Sequence, residues 1–371
     1  MNTIMKNYTL DQLESMMNEN HGNLDLRCTS VISLPDGLKV PGYLNLADTI
    51  ITTLPDGLTV GGNLILADAP VIKKLPENLT IGGSLFAQGT RITTLPESLT
   101  VVGCIDLSRS DVTSLPDGLT VFSYLSLENT PITTLPENLT VGGWLNLKDT
   151  KIASLPNGLR VGNYLNLEGT EITSLPEDLT VGGGLYLRKT QISSLPDNLT
   201  VHGTLSLADT PMAQLPKNLT VKGDLHLERT PITSLPDNLK VRGSLYLRDT
   251  KITSLPDNLK VGGGLYLSGT PITSLPDNLT INGDLSLMDT PIISLPDNLT
   301  VGGWLDLRGT RVTSLPDNLT VGGWLNLHGT PITSLPESLK VDGNLYIERT
   351  KITSLPRGLI VGGYVSTDRF I

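Results

Sequence analysis

The chain has 371 residues and a formal net charge of −10, and 38% of its residues are hydrophobic although only 4% are aromatic. Its content of Leu, Ile and Val excludes a disordered chain, despite the presence of 37 Gly and 25 Pro. The negative charge argues against nonspecific binding to nucleic acid or to an anionic membrane, since both require an excess of Lys and Arg. The sequence contains no apolar run of about 18 residues and no signal-peptide pattern at its N-terminus. We therefore expect a cytoplasmic protein, or one that is secreted by a leaderless route into a host cell.

The N-terminal segment predicts one short helix. Thr9 and Gln12 stand at the two ends of a capping-box pattern, and the apolar residues Leu13 and Met17 follow at helical spacing. We expect a helix over residues 9–18 that covers the first turn of the structure behind it, because the terminal repeats of a stacked array need such a cover.

A 20-residue repeat occupies the rest of the chain. Leu-Pro occurs 17 times, always 20 residues apart except for one interval of 21 near Val71. In the unit GGWLNLHGTPITSLPESLKV (residues 322–341), the WLNLH segment alternates outward and inward as a β-strand does, and a Pro prevents helix formation later in the unit. Such a period is typical of a solenoid. The predicted division is an N-terminal helical cap at residues 1–21 and a solenoid of about 17–18 coils at residues 22–371.

Two repeated positions carry structural expectations. The second Gly of the Gly-Gly pair is replaced only by Ser123 and Asn163 in the complete repeats. Because Asn tolerates a positive φ well, we expect left-handed backbone at this corner. The third residue after the LxL pattern is Thr in 15 of 17 repeats, with Ala69 and Ser110 as the exceptions. We expect these Thr hydroxyls to be buried and bonded to backbone, since buried polar groups need partners.

The repeat resembles the 20-residue LPX subtype of bacterial leucine-rich repeats. The segment LNLHGTPITSLP (residues 325–336) and its counterparts carry this resemblance, and the N-terminal helix is similar to the helical cap of the family. Thr stands where the family has a ladder Asn, and the LTVGG segment also differs from the family pattern. The resemblance implies a right-handed open superhelix with a parallel sheet on the concave side and extended segments on the convex side. It also implies a relation to type III secreted effectors that bind proteins.

Aromatic residues collect at three positions of the repeat: before, between and after the two inward Leu residues. These positions face outward on the predicted sheet, and they hold all three Trp and eight of the nine Tyr. Charged residues of both signs share this face, and aromatic residues with Arg are frequent anchors of protein interfaces. The predicted protein-binding residues are Tyr124, Trp144, Tyr164, Tyr186, Arg188, Tyr246, Arg248, Tyr266, Trp304, Asp306, Arg308, Trp324, His328, Tyr346 and Tyr364.

The aromatic positions also have a purely structural interpretation. Like side chains in one column of a parallel stack touch each other, so the pairs Tyr246–Tyr266 and Trp304–Trp324 are expected to form ladders that stabilise the stack. The segment around Trp144 predicts a similar ladder. Stabilisation and partner binding therefore remain alternatives for these residues.

No group of residues in the sequence supports catalysis. The four His are scattered over different repeats, and no basic neighbour that would activate Cys28 or Cys104 is evident. Asp224, His226 and Glu228 alternate outward on one strand, but a single His between two carboxylates is more often part of a solvated strand face than a metal site. We therefore expect a protein that is not an enzyme and that holds no cofactor and no metal.

Three functions remain open on the sequence alone. The favoured one is a bacterial effector that binds a protein partner on its concave face. The second is a phage- or prophage-encoded cytosolic inhibitor of a bacterial defence protein. The third is a structural or self-assembling scaffold that forms homo-oligomers, because the C-terminal segment VGGYVSTDRFI (residues 361–371) lacks a helical cap over its sheet edge.

Overall fold

The structure, a computed structural model, describes residues 7–277, 279–297 and 299–368. The chain forms two compact units, Met1–Gly183 and Gly184–Ile371, called the first and second unit below. Each unit is a stack of coils with two short parallel strands per coil, so the predicted solenoid is confirmed. The ends of the predicted cap and solenoid, residues 1–6 and 369–371, lie outside the described residues.

The helix α1 (Leu10–Glu19) begins at the predicted capping box. The Thr9 hydroxyl accepts a hydrogen bond from the backbone N–H of Gln12, and the Gln12 side chain accepts one from the backbone N–H of Thr9 at 3.0 Å. Leu13 and Met17 are buried, and α1 packs against the first strand of the solenoid. The predicted helix is thus confirmed to within one residue at each end. No helix in the described part of the chain has the length and apolar character of a membrane-spanning segment.

In each unit the strands that carry the LxL pattern form a parallel sheet, called the LxL sheet of that unit. Neighbouring strands pair in parallel with a 20-residue register, for example Leu125 with Leu145. The single extra residue near Val71 lengthens one step to 21 residues, so that Leu64 pairs with Leu85. In the first unit these strands are Leu24–Asp25, Leu44–Asn45, Leu64–Ile65, Leu85–Phe86, Ile105–Asp106, Leu125–Ser126, Leu145–Asn146 and Leu165–Asn166. In the second unit they are Leu185–Tyr186, Leu205–Ser206, Leu225–His226, Leu245–Tyr246, Leu265–Tyr266, Leu285–Ser286, Leu305–Asp306, Leu325–Asn326, Leu345–Tyr346 and Val365–Ser366.

The strands before the Gly-Gly pair form the Val sheets, two in each unit. In the first unit they are Lys39–Val40, Thr59–Val60, Thr80–Ile81 and Thr100–Val101, then Thr120–Val121, Thr140–Val141, Arg160–Val161 and Thr180–Val181. In the second unit they are Thr200–Val201, Thr220–Val221, Lys240–Val241 and Lys260–Val261, then Thr280–Ile281, Thr300–Val301, Thr320–Val321, Lys340–Val341 and Ile360–Val361.

The core between the LxL and Val strands is aliphatic. Leu325, Leu327 and Ile332 are fully buried, as are Leu339 and Val341 further along the same coil. The inward positions predicted from the alternation are therefore confirmed. Since these aliphatic side chains fill the core, the aromatic residues are left for the outward side of the LxL sheet.

The expectation of left-handed backbone at the second Gly is wrong. Positive φ occurs instead just before the repeated Thr, as at Gly329 (φ 72°) and Asp249 (φ 57°). At the second Gly the constraint is close approach between coils. A Cβ on Gly323 would lie 2.9 Å from the carbonyl carbon of Gly303. The Gly323 N–H also donates a hydrogen bond to the carbonyl oxygen of Gly303, at 2.8 Å. Both constraints select Gly, but only the structure separates them.

The repeated Thr is buried as expected, and its hydrogen bond stays within its own coil. The Thr330 hydroxyl donates to the Leu327 carbonyl at 2.7 Å, and the Thr330 backbone N–H donates to the same oxygen at 3.0 Å. The Thr side chain therefore closes the turn after the LxL strand and makes no bond to the next coil. A side chain that links neighbouring coils would instead bond to the backbone of the next coil.

Candidate protein-binding face

The outward side of the LxL sheet, called the LxL face, carries at most one Phe, Tyr or Trp ring per coil. Where the ring precedes the LxL pattern, as at Trp304, a small polar residue stands between the two Leu residues. Where the ring stands between them, as at Tyr266, the preceding residue is small or polar. A Cβ on Gly264 would lie 2.9 Å from the Tyr266 hydroxyl, so the ring folds back over the Gly. Tyr186 covers Gly184 in the same way. This pairing is readable from the sequence, although the sequence analysis missed it.

The first unit contains a ladder of three rings. Tyr124 and Trp144 stack with centroids 4.1 Å apart and planes 3° apart, and Trp144 and Tyr164 stack at 5.5 Å and 5°. The predicted contact between these three residues is therefore present. Burial, followed by the hydrogen bond with the Cys104 thiol, raises the pKa of Tyr124 above its ordinary value. We call this group the first-unit ladder.

The second unit contains a longer ladder, which the sequence predicted only as separate pairs. Parallel stacks join His226 to Tyr246 at 4.2 Å, Tyr246 to Tyr266 at 4.5 Å, and Trp304 to Trp324 at 4.6 Å. Tyr266 leans against Trp304 at 5.9 Å with a 60° tilt, which connects the pairs across a coil without a ring. Edge-on contacts between Trp324 and Tyr346 and between Tyr346 and Tyr364 extend the ladder further. The second-unit ladder comprises His226, Tyr246, Tyr266, Trp304, Trp324, Tyr346 and Tyr364.

The ladder rings are half-buried, with Tyr364 the most exposed at 57%. Tyr246 has a parallel neighbour on each side, so the part of this ring that reaches solvent is its edge. Trp304 and Trp324 stack on each other, which covers one face of each ring.

Arg308 and Asp306 form a tight ion pair beside the ladder. The Arg308 Nη2 donates to Asp306 Oδ2 at 2.6 Å, and its Nε donates to both carboxylate oxygens at 2.9 and 3.0 Å. Hydrogen bonding to Asp306 raises the pKa of Arg308 above its ordinary value. Both residues were predicted as binding residues, but the Asp306 side chain is only 4% exposed. Asp306 therefore acts by holding Arg308 in place.

Arg188 belongs to a second charged cluster that the sequence analysis missed. Asp209 accepts hydrogen bonds from Arg188 Nε at 3.0 Å and from Arg229 Nε and Nη2 at 2.5 and 2.8 Å. The bond from Arg229 is the largest cause that lowers the pKa of Asp209 to about 2. The sequence does contain a signal for this cluster: Asp209 and Arg229 carry opposite charges at the same position of neighbouring repeats, 20 residues apart.

The remaining predicted charges form looser pairs. His328 Nδ1 lies 3.8 Å from Glu348, and Arg248 Nε lies 3.2 Å from Asp249. His226 Nδ1 lies 3.0 Å from Glu228 Oε1 while its ring stacks in the ladder. Among residues 7–277, 279–297 and 299–368, no group of three or more His, Cys, Asp and Glu residues is placed to hold a metal.

Several outward polar residues hold the backbone and are not free for a partner. Asn326 Oδ1 accepts the backbone N–H of His328 at 3.0 Å. Asp284 Oδ1 accepts the backbone N–H of Trp304 at 3.1 Å, and its Oδ2 accepts the Tyr266 hydroxyl at 3.2 Å. Burial and then the Asp284 charge raise the pKa of Tyr266 above its ordinary value. These polar side chains therefore hold the strand backbone and the neighbouring ring in place.

Comparison with solved structures identifies the architecture. No protein-family model matches the chain, and no curated protein matches its sequence. YopM from Yersinia enterocolitica matches with 22% identity and a TM-score of 0.51, over 96% of this chain and 86% of that chain. This chain has the leucine-rich-repeat fold. Its 20-residue coils fit the LPX-type repeat and resemble those of YopM.

Two further leucine-rich-repeat structures show the same architecture. A protein from Leptospira interrogans matches at 20% identity and a TM-score of 0.52, over 86% of this chain and 93% of that chain. A chain of the Toll–Spätzle complex from Drosophila matches at 17% identity and a TM-score of 0.61. The match spans 89% of this chain but only 53% of that one. At these identities the likeness is one of fold.

Proposed function

We propose that the protein is a non-enzymatic binding module that engages a protein partner through the LxL face, with the second-unit ladder at the centre of the contact. One observation carries this proposal: seven rings run in contact along a sheet face, half-exposed and flanked by Arg side chains. Contiguous aromatic surface next to Arg is the usual composition of an interface anchor. A related fold in a complex, that of Toll with Spätzle, is consistent with this use.

The ladder has a stabilising role as well, and the first-unit ladder separates the two roles. Trp144 stacks on both neighbours, whereas Trp324 stacks on Trp304 and meets Tyr346 edge-on at 6.2 Å. Each such contact contributes about 1 kcal/mol beyond area burial. Loss of Trp144 therefore removes at least as much stacking as loss of Trp324. A difference in binding between the two variants cannot come from stacking alone.

Paired Ala substitutions test the proposal. We expect Trp324→Ala to abolish capture of protein partners from bacterial and host-cell lysates, as detected by mass spectrometry. We expect Trp144→Ala to retain the same partners, while both variants unfold at similar temperatures. Equal retention by both variants, or equal loss in both, would show that the second-unit ladder is not the binding site.

We further propose that the protein is a bacterial effector that is secreted into a host cell. The LPX-type repeat supports this role, because it resembles the repeats of secreted effectors. A fusion to a secretion reporter, expressed in a bacterium with a type III system, should reach host cytosol. Retention of the fusion in the bacterium would contradict the effector role and leave a cytosolic binding protein.

A further inference from the structure

We propose that a cleft on the Val side of the second unit binds a small, soluble phosphomonoester whose uncharged part carries hydroxyl groups. The Val side is the outward side of the Val sheets, so this site is separate from the LxL face and goes beyond the proposed function. Two observations support the proposal: a break in strand pairing at the cleft, and a group of cations that no nearby carboxylate neutralises.

Strand pairing stops at the cleft, between the two Val sheets of the second unit. Within the first of these sheets, the Gly262 N–H donates to the Val241 carbonyl at 3.0 Å. In the described part of the chain, the equivalent Asn282 N–H makes no such bond to the Val261 carbonyl. Both residues line the cleft, so it offers one unpaired backbone donor and one unpaired backbone acceptor.

The lining of the cleft carries an excess of positive charge. The cleft has a volume of about 690 Å³, within the range of small-molecule sites in proteins. Its charged lining residues are Lys240, Arg242 and Lys260, against the single carboxylate of Asp257. None of the three cations forms an ion pair with another residue among 7–277, 279–297 and 299–368.

This arrangement of cations works against the stability of the coil. Lys240 and Lys260 stand directly opposite each other on paired strands, and like charges at such positions destabilise a sheet. The coil does not require them, because Thr occupies this position in 11 of the 17 repeats. Where Lys recurs, Lys340 pairs with Asp342 at 3.3 Å. Arg242 stands at the position that corresponds to Asp342, so this compensation is missing at the cleft.

The first unit shows that a break in strand pairing does not by itself require cations. Its two Val sheets separate between strands Thr100–Val101 and Thr120–Val121, beside a smaller cleft of about 210 Å³. The charged residues of that cleft are Glu97 and Asp117, and no Lys or Arg is among its described lining residues. The positive lining is therefore particular to the second-unit cleft.

Acidic residues around the cleft restrict the ligand to a compact anion. Asp237 and Asp277 occupy the position of Asp257 in the two adjacent coils, where they line neighbouring clefts. A long polyanion such as a nucleic acid would extend beyond the three cations and meet these carboxylates. A single phosphate group instead concentrates nearly two negative charges at one point, and Lys and Arg are the side chains that bind phosphate in proteins.

The uncharged part of the lining suits a ligand with hydroxyl groups. Asn258, Thr280 and Asn282 line the cleft beside the cations, and their side chains can both donate and accept hydrogen bonds. The unpaired Val261 carbonyl adds an acceptor that a hydroxyl group can satisfy. A sugar phosphate supplies both kinds of group in one small molecule.

Calorimetric titration of the full chain tests the proposal with three probes: glucose-6-phosphate, glucose-6-sulfate and glucose. The sulfate ester has nearly the same shape as the phosphate ester but only one negative charge. We expect glucose-6-phosphate to bind about tenfold more tightly than the sulfate ester, and glucose to bind more weakly than both. Equal binding of the two esters, or binding of glucose as tight as that of glucose-6-phosphate, would overturn the proposal.

Lys240→Thr combined with Lys260→Thr removes two cations from the cleft and installs the residue that most repeats carry there. We expect this variant to bind glucose-6-phosphate about tenfold more weakly than the wild type. Because the substitutions also remove the repulsion between like charges, the unfolding temperature should stay the same or rise. Unchanged binding would overturn the proposal, and a lower unfolding temperature would contradict the like-charge argument on which it rests.

Lys39→Thr combined with Lys340→Thr is the matched control. Both exposed Lys residues occupy the same repeat position as Lys240 and Lys260, so the control makes the same substitutions and the same change in net charge. We expect less than about a twofold change in glucose-6-phosphate binding. A loss equal to that of the cleft variant would show that overall charge, and not the cleft, attracts the ligand.

A phospholipid headgroup carries the same phosphate chemistry, and vesicles of phosphatidylcholine with phosphatidic acid test this source. We expect no more co-sedimentation than with phosphatidylcholine alone, because the acidic residues around the cleft oppose an anionic membrane. Co-sedimentation that Lys240→Thr with Lys260→Thr abolishes would overturn the assignment of a soluble ligand. Trp324→Ala should bind glucose-6-phosphate as the wild type does, and a loss of binding in this variant would place the ligand on the LxL face.

Discussion

Asp209 shows how a single side chain ties neighbouring coils together. It accepts hydrogen bonds from Arg188 and Arg229, and the latter lies 20 residues further along the chain. Its backbone has φ 60°, a conformation that Asn also tolerates. Asp209→Asn therefore removes the charge with little change in backbone preference, which makes it a clean test of the cluster.

We expect Asp209→Asn to destabilise the protein at neutral pH and to have a much smaller effect near pH 2. The bonds from Arg229 and Arg188 lower the pKa of Asp209 from 3.8 to about 2 in the folded protein. A lowered folded-state pKa stabilises the fold above the unfolded pKa, and this contribution is lost as pH falls from about 4 to about 2. Because the side chain is partly exposed, the difference should be about 1 kcal/mol.

Urea unfolding of the wild type and Asp209→Asn across this pH range measures the effect. Asp249→Asn is the control, since Asp249 is 44% exposed and its ion pair is with Arg248. A difference that persists unchanged at pH 2, or an equal effect in the control, would contradict a specific role for the Asp209 cluster.

At the scale of single strands and turns, two glycines of one repeat meet different constraints. A Cβ on Gly323 would approach the backbone of Gly303 to 2.9 Å, whereas one on Gly329 would meet no atom within 4 Å. Gly329 instead has φ 72°, and Asp249 occupies the same position of another coil. The first glycine is therefore required by packing between coils, and the second by backbone conformation.

We expect Gly323→Ala to cost about 1–3 kcal/mol, because the coils must move apart. Gly329→Asn should change stability by less than about 0.5 kcal/mol, because Asn adopts positive φ readily. Chemical unfolding of both variants measures the difference. The reverse order would mean that conformation, and not close approach, selects Gly at position 323.

These two glycines also show why the sequence predicted some features and not others. The period, the inward Leu residues and the capping box at Thr9 were readable, because each follows from spacing along one repeat. Selection of Gly was readable too, but its cause was not, since two different constraints favour the same residue. The distinction requires the distance between coils, which the sequence of one coil does not contain.

The sequence predicted those contacts of the candidate site that lie within one column, meaning the same repeat position in successive coils. The stack of Trp304 on Trp324 lies within one column and was predicted. The contact of Tyr266 with Trp304 crosses from one column to another over an intervening coil, so column reasoning missed the joined ladder. The inward direction of Asp306 was also missed, because residue alternation gives the side of the sheet and not the depth of a side chain.

The molecule as a whole is stabilised by contacts between successive coils, since each coil is too small to bury a core by itself. Leu125 illustrates this: it is fully buried, and its strand pairs with Ile105 on one side and Leu145 on the other. Stability in such an array is approximately a sum of local terms. A core substitution should therefore loosen its own neighbourhood more than distant coils.

We expect Leu125→Ala to cost about 2–5 kcal/mol locally, because it leaves a cavity in an aliphatic core. Amide hydrogen exchange should accelerate in peptides around Ile105, Leu125 and Leu145, while peptides around Leu305 keep wild-type rates. Phe122→Ala in the same coil is the control, since Phe122 is 67% exposed and contributes little to the core. Uniform acceleration along the whole chain would instead show that the coils unfold as a single cooperative unit.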